Sequence, residues 1–307
     1  MIEAKSLCKR YGSFTAVDDL SFTVEAGQVL GFLGPNGAGK STTMKMLTGF
    51  LTPTSGTALI NGIDVTENSV AALKHIGYLP EGAPSYGEMT VRQFLAFIAR
   101  ARLIDSRDVD DSVDKAIDKL NLSTVAHQPI ETLSKGFNRR VGLAQAIIHD
   151  PQILILDEPT DGLDPNQKHE VRHLIQDMAH DKIIVISTHI LEEVEAVCNR
   201  VMIISDGKLL ADDTPSGLIS RSRYHNSVSM VVAEAEKVAS VLSELPEVAK
   251  AELREGELTL FPADGNGLFE AITAAISANH WQVSALRLEV GRLDEVFRSI
   301  TRKEATS

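Results

Sequence analysis

The sequence predicts an α/β protein: a mostly parallel sheet covered on both faces, followed by a small α+β unit. Two observations predict it. Through the first two hundred residues, short β-branched runs alternate with helical patterns; continuous apolar strands between amphipathic helices indicate a parallel sheet buried on both sides. Beyond residue 225 the order becomes β-α-β-β-α-β with a closing helix, the split βαβ arrangement. The 307 residues leave room for both units.

In chain order, residues 28–33 read as a strand, 40–47 as a helix, 153–156 as a buried strand and 165–179 as a helix, with strands again at 183–186 and 201–204. Residues 90–148 interrupt this rhythm with consecutive helices at 91–102, 109–120 and about 134–148, a helical insertion with Pro129 and Pro151 at its later boundaries. The turn Asp206-Gly207-Lys208 and the stretch Thr214-Pro215-Ser216-Gly217 close the first unit. The expected domains are 1–220 and 225–307. In the second, 227–232 reads as a strand, 234–245 as a helix, and 248–253 with 258–261 as a hairpin. A helix at 268–279, a strand at 283–288 and a helix at 293–300 complete it.

Lysine and arginine number 30 against 42 aspartate and glutamate, a formal charge of −12. No segment forms a basic footprint, which argues against a reader of duplex DNA. An apolar content of 43% with 23% charged residues excludes wholesale disorder. The longest apolar run, residues 94–99, is far short of the ~20 residues of a spanning helix. The amino terminus carries no signal-peptide pattern, and Cys8 with Cys198 is too few for a disulfide framework. The expectation is a cytosolic chain, soluble by itself.

The chemistry begins at Gly34-Pro35-Asn36-Gly37-Ala38-Gly39-Lys40-Ser41, which fits G-x-x-x-x-G-K-[ST] and sits after a strand and before a helix. Glycines let backbone N–H groups wrap phosphate oxygens, and the helix start adds unpaired amides and its positive dipole end. Lys40 would reach the β- and γ-phosphates and Ser41 would ligate Mg²⁺. The run Ile153-Leu154-Ile155-Leu156-Asp157-Glu158 supplies the carboxylates. Four apolar residues bury the strand, so the acids emerge at its carboxyl end, where open α/β sheets bind ligands. Asp157 would hold Mg²⁺, directly or through water, and Glu158 would take a proton from the attacking water.

Phosphate loops serve many enzymes, and the discriminating stretch is Leu133-Ser134-Lys135-Gly136-Phe137-Asn138-Arg139-Arg140, opening a helix just before the acidic strand. It resembles the signature of ABC-type ATPases, usually written L-S-G-G-Q. Other family elements follow in order. Tyr11 resembles the aromatic that stacks on adenine. Glu81, in Gly77-Tyr78-Leu79-Pro80-Glu81, stands where the family usually has glutamine. Gly162-Leu163-Asp164 resembles the partner-facing loop, and His189, in Ser187-Thr188-His189, matches the switch histidine. The resemblance covers about residues 1–220. The stretch Leu293-Asp294-Glu295-Val296-Phe297, with Lys135, Phe137 and Glu81, is similar to the branch paired with ABC-2-type membrane subunits, which includes multidrug, sodium-efflux and gliding-motility groups.

The resemblance implies a P-loop ABC-type ATPase core with a mostly parallel sheet, an antiparallel β subdomain and a helical subdomain, ahead of the C-terminal α+β unit. It implies an ATP hydrolase with Glu158, His189 and Lys40 as catalytic residues. ATP would be held by Tyr11, Gly34, Pro35, Asn36, Gly37, Ala38, Gly39, Lys40, Ser41 and Thr42, and Mg²⁺ by Ser41, Asp157 and Glu81. A carboxylate at Glu81 can ligate the metal, yet it adds negative charge beside the triphosphate. Ser134, Lys135 and Gly136 would act on the nucleotide of a second copy, with Asp164 in the dimer loop. The implied partners are that second copy and integral-membrane ABC-2-type permease subunits, with no nucleic acid. The implied place is the cytoplasmic face of the plasma membrane. The alternative is a soluble, non-transport ABC ATPase acting on ribosomes or nucleic acid; a phosphotransferase would leave the signature and switch histidine unexplained.

The groove between residues 81–86 and the helices from Val91 onward is the expected permease contact, with Phe94 and Phe97 read as helix core. His169-Glu170-Val171-Arg172-His173 matches the H-E-x-x-H zinc pattern. However, the buried stripe of that helix falls on Val171, Leu174, Ile175 and Met178, leaving both histidines toward solvent with no evident third ligand.

Overall fold

The structure, a computed structural model, describes residues 1–83, 85–263 and 268–304, with side chains to residue 301. It divides into two units, Met1–Asp213 and Thr214–Ser307. The first unit thus ends before residue 220, where the sequence reading set its boundary.

The first unit opens with strands β1 (Ile2–Tyr11) and β2 (Phe14–Val24), then β3 (Val29–Leu33), helix α1 (Lys40–Leu47), β4 (Ser55–Ile60), β5 (Ile63–Asp64), α2 (Ser69–Leu73) and β6 (Ile76–Leu79). Helices α3 (Val91–Ala101), α4 (Val109–Lys119) and α5 (Lys135–Ile147) follow without an intervening strand. Then come β7 (Ile153–Asp157), α6 (Pro165–Met178), β8 (Ile183–Thr188), α7 (Leu191–Val197), β9 (Arg200–Ser205) and β10 (Lys208–Asp213).

Two sheets result. One is antiparallel, in the order β2-β1-β4-β5; the other has six strands in the order β10-β9-β3-β8-β7-β6. In the second sheet β9, β3, β8, β7 and β6 run parallel, and only the edge strand β10 is antiparallel. Every residue of β3, β6, β7 and β8 is buried, which is why β3, β7 and β8 read as mainly apolar runs rather than alternations; the short β6 was not among the strands read from the sequence. Burial of each Ile or Leu side chain contributes about 1.5–3 kcal/mol. Ile155 and Val185 of this sheet share one core cluster with Met44 and Leu47 of α1, so the cluster fixes α1 against the strand ends.

The helices from α3 onward are stopped and started by local chemistry. Thr90 and Gln93 form a reciprocal capping box on α3, and Ser134 accepts from the Phe137 amide at the start of α5. Phe94 is buried within α3, but Phe97 is 41% exposed, which corrects the reading of both rings as core: only one face of the helix is covered.

The second unit contains α8 (Pro215–Ile219), β11 (Val228–Val232), α9 (Ala235–Leu242), β12 (Val248–Arg254), β13 (Glu257–Pro262), α10 (Phe269–Asn279), β14 (Val283–Leu288) and α11 (Leu293–Glu304). Its sheet order is β12-β13-β11-β14, with all neighbours antiparallel, the topology of a split βαβ unit. Val228, Met230, Leu258 and Leu260 form its core with Val238, Leu242 and Ile272 of the helices.

Candidate functional site

The loop of residues 34–39 joins β3 to α1 at the carboxyl end of the parallel sheet. Its path demands glycine. A Cβ on Gly34 would lie 2.3 Å from the Ile204 carbonyl oxygen. Gly39 has φ of +100°, and a Cβ there would lie 2.4 Å from the Ala16 carbonyl oxygen. Lys40, only 6% exposed, donates from Nζ to the carbonyl oxygens of Gly34 at 2.7 Å and Pro35 at 3.0 Å. Burial holds its pKa below that of an ordinary lysine, against the opposing pull of Glu158, Asp157 and Glu81. An ammonium has three donors, so one remains for an anion. A cleft of about 370 Å³ opens above it, lined by Tyr11, Phe14, Ala16, Asn36, Gly37, Ala38, Gly39, Lys40, Ser41, Thr42, Glu81 and Glu158.

Asp157 is the last residue of β7 and is fully buried. Its Oδ1 accepts from Ser41 Oγ at 3.2 Å and from Ser187 Oγ, while its Oδ2 is buried with no partner. An orphaned carboxylate oxygen beside a serine hydroxyl is a hard-oxygen donor set that suits Mg²⁺, which takes one or two carboxylates plus substrate phosphates. These residues fit that ion.

Glu158 follows with φ of +51°, a conformation that non-glycine residues seldom adopt. Its amide donates to Ser187, to the carbonyl at 3.0 Å and to Oγ at 3.3 Å. His189 Nδ1 lies 3.0 Å from both carboxylate oxygens. An ionised carboxylate only accepts, so Nδ1 carries the proton in that contact. Burial raises the Glu158 pKa above the usual glutamate range, while the His189 hydrogen bond and the charges of His189 and Lys40 draw it down. The result is a carboxylate with basicity to spare, next to a buried cation.

Arg139 went unremarked in the sequence. It is 6% exposed and spans three elements. Its guanidinium donates to the carbonyl oxygens of Asp157 and Glu158, and to that of Pro80 at 3.1 Å. The start of α5 is thereby tied to the backbone of both site acids. Its only sequence signal is an arginine one turn inside the helix that opens at Ser134. Phe14 was also missed; it lines the cleft beside Tyr11.

Ser134, Lys135, Gly136 and Asp164 do not line this cleft. Ser134 caps α5, and Lys135 borders a separate cavity of about 280 Å³ with Asn138, Arg139, Asp161 and Gly162. Asp164 caps α6, accepting from the Gln167 amide at 2.9 Å. His169 and His173 are exposed on α6, where their Nε2 atoms bond each other at 3.0 Å, and Glu170 is engaged by Arg140 at 3.4 Å. Pro84, within the expected permease contact, lies outside the described residues.

Residues 17–161 match the ABC transporter family. Over 223 residues the chain is 40% identical to a protein of Escherichia coli K12 named "Probable multidrug ABC transporter ATP-binding protein", covering 72% of this chain but only 38% of that relative. It is 38% identical to the Nod factor export ATP-binding protein I of Rhizobium meliloti strain 1021, covering 79% of this chain and 72% of that one. A solved ATP-binding subunit of an ABC transporter aligns with a TM-score of 0.66 at 28% identity, covering 71% of this chain and 91% of the other.

Proposed function

This chain belongs to the family of ABC transporter ATP-binding proteins, and on that premise we propose that it binds ATP in the Lys40 cleft, hydrolyses it to ADP and phosphate, and powers an ABC-2-type transporter working as an exporter. The observation that carries the proposal is the meeting of Glu158 with His189 at 3.0 Å beside the buried Lys40 and Asp157. Glu158 takes a proton from water as the water oxygen bonds to the γ-phosphorus. The bond from phosphorus to the bridging oxygen breaks, and its electron pair stays on ADP. Lys40 and the loop amides meet charge on the phosphates, and His189 orients the base. Bound Mg²⁺, held by Ser41 and Asp157, supplies charge neutralisation on the phosphate oxygens. Tyr11 and Phe14 offer ring surface to the adenine.

Two copies are required on this reading. Ser134 and Asp164 do not line their own chain's cleft, and on the proposed function an isologous head-to-tail pair brings each to the other's nucleotide. ATP binds the closed pair better than the open one, so its arrival closes the dimer and its cleavage reopens it.

The membrane partner is supported by a groove of about 630 Å³ between α2 and α3, lined by Val70, Leu73, Ile98, Ala101, Leu103 and Ile104 together with Lys74, Arg102 and His149. Val70 is 70% and Leu103 74% exposed. Nearby, exposed Tyr86 packs edge-on against Phe97 with ring centroids 5.5 Å apart. Among the described residues no helix is long and apolar enough to cross a membrane, so the partner supplies the span and holds this chain at the inner face. Affinity capture from detergent-solubilised membranes tests this. An integral membrane protein that co-elutes and alters phosphate release supports the proposal; ribosomes or nucleic acid in its place sink it.

A further inference from the structure

Glu193 lies on the short helix α7, between the exposed Glu192 and Glu195, yet it is itself only 4% exposed. A carboxylate taken out of water must be hydrogen-bonded or it costs several kcal/mol. No ion pair to Glu193 is present among the described residues; its partners are two buried threonine hydroxyls. Thr160 Oγ1 donates to Oε1, and Thr188 Oγ1 donates to Oε2 at 2.8 Å. Thr160 is 2% exposed and Thr188 fully buried.

The positions of those threonines give the arrangement its meaning. Thr160 comes two residues after Glu158, where the chain turns toward Asp164. Thr188 ends β8 and immediately precedes His189. The Thr188 hydroxyl also accepts from the Ile190 amide at 3.0 Å, so His189 is bracketed on both sides by one fixed oxygen. Glu193 therefore joins the segment leaving Glu158 to the segment entering His189. The β7–β8 pairing, the Glu158 amide contacts to Ser187 and the Ser187 hydroxyl on Asp157 hold the strand ends just before these segments, and Glu193 ties the segments beyond them. The Cys198 thiol is pushed up to about 12 by burial and then by the negative charge of Glu193, as expected for a carboxylate in a dry setting.

We propose that Glu193 is a positioning residue for ATP hydrolysis: it clamps Thr160 to Thr188 and thereby sets the separation of Glu158 and His189. The clamp rests on the hydrolytic reading of the site and adds to it a residue that touches neither nucleotide nor water. It also anchors the start of the turn at residues 161–164, so the partner-facing loop and the switch histidine share one support.

The test compares Glu193→Ala, Glu193→Gln and Thr160→Val. Misplacing a catalytic group by about 1 Å costs on the order of 10²-fold in turnover. Glu193→Ala is accordingly expected to lower kcat about 10- to 100-fold, with KM and nucleotide affinity held within about twofold because uniform binding is untouched. Glu193→Gln keeps an acceptor and a shape match and restores most of the rate. The ¹⁵N ring signals of His189 in the nucleotide-free chain shift in Glu193→Ala and stay near their wild-type positions in Glu193→Gln. Thr160→Val breaks one arm, reproduces the direction of the effect, and serves if Glu193→Ala does not fold. Proportional changes in kcat and KM, a Gln variant as impaired as Ala, or unmoved His189 signals overturn the clamp. Wild-type protein that releases no phosphate overturns the hydrolytic reading instead, and the His189 signals still decide the clamp.

Discussion

The Lys40 loop and the Ser134 turn are both places where a helix begins and offers backbone amides, yet the chain equips them differently. Around Lys40 it gathers Ser41, Asp157, Glu158 and, through Glu158, His189. Beside Ser134 in the chain, Lys135 lines a separate cavity with Asn138, Asp161 and Gly162, and among the described residues lining it there is one acid and no histidine. Arg139 bridges the two, donating from the helix of the second to the carbonyls of the first. The proposed function rests on that difference: Glu158 and His189 meet at the first helix start, and on that proposal the Ser134 turn serves the nucleotide of a second copy.

The sharpest way to break this division is Glu158→Gln. Losing a general base costs typically 10²–10⁴-fold, so phosphate release should drop by about 10³-fold while nucleotide still binds and the dimer persists in Mg-ATP. A wild-type rate would remove Glu158 from the first region. Next, Lys40→Ala deletes a charge-assisted contact worth about 1.5–3 kcal/mol, an expected loss of roughly 10- to 100-fold in nucleotide affinity by titration calorimetry. Ser134→Ala should lower turnover about tenfold and leave the affinity of the dilute monomer unchanged; weaker monomer binding would place Ser134 in its own chain's cleft. The smallest effect is on pH. Because burial raises the Glu158 pKa and only the ionised form can accept a proton, kcat should fall as pH drops through a value above the usual glutamate range. The Glu158→Gln variant should lack that acid limb.

The parallel strands were legible because they are buried on both faces: residues 153–156 of β7 and 183–186 of β8 are all Ile, Leu or Val. The phosphate loop was legible because glycine is forced at tight approaches such as Gly34 and Gly39. The antiparallel sheet entered only through family resemblance. Register shifts along β1, between Ala4 and Leu7 and again before Lys9 and Arg10, break the two-residue period that would have marked it. Phe97 was misread because a run of six apolar residues hides which face of α3 is covered. Arg139 and Glu193 were invisible for a shared reason. A charged residue near the start of a helix ordinarily faces water, and only the third dimension shows Arg139 on the backbone of Asp157 and Glu193 on two threonines. The carboxyl-terminal hairpin was readable because Glu255-Gly256 supplies its turn, both residues having positive φ.

Mixing variants tests the divided site most directly. Lys40→Ala and Ser134→Ala chains are each prepared alone and then combined in equal amounts with Mg-ATP. In a head-to-tail pair the mixed dimer owns one site in which both Lys40 and Ser134 are intact. Random pairing of independent sites therefore predicts recovery to about a quarter of the wild-type rate. A mixture no more active than the mean of its two components would contradict the claim that two chains complete each other's sites.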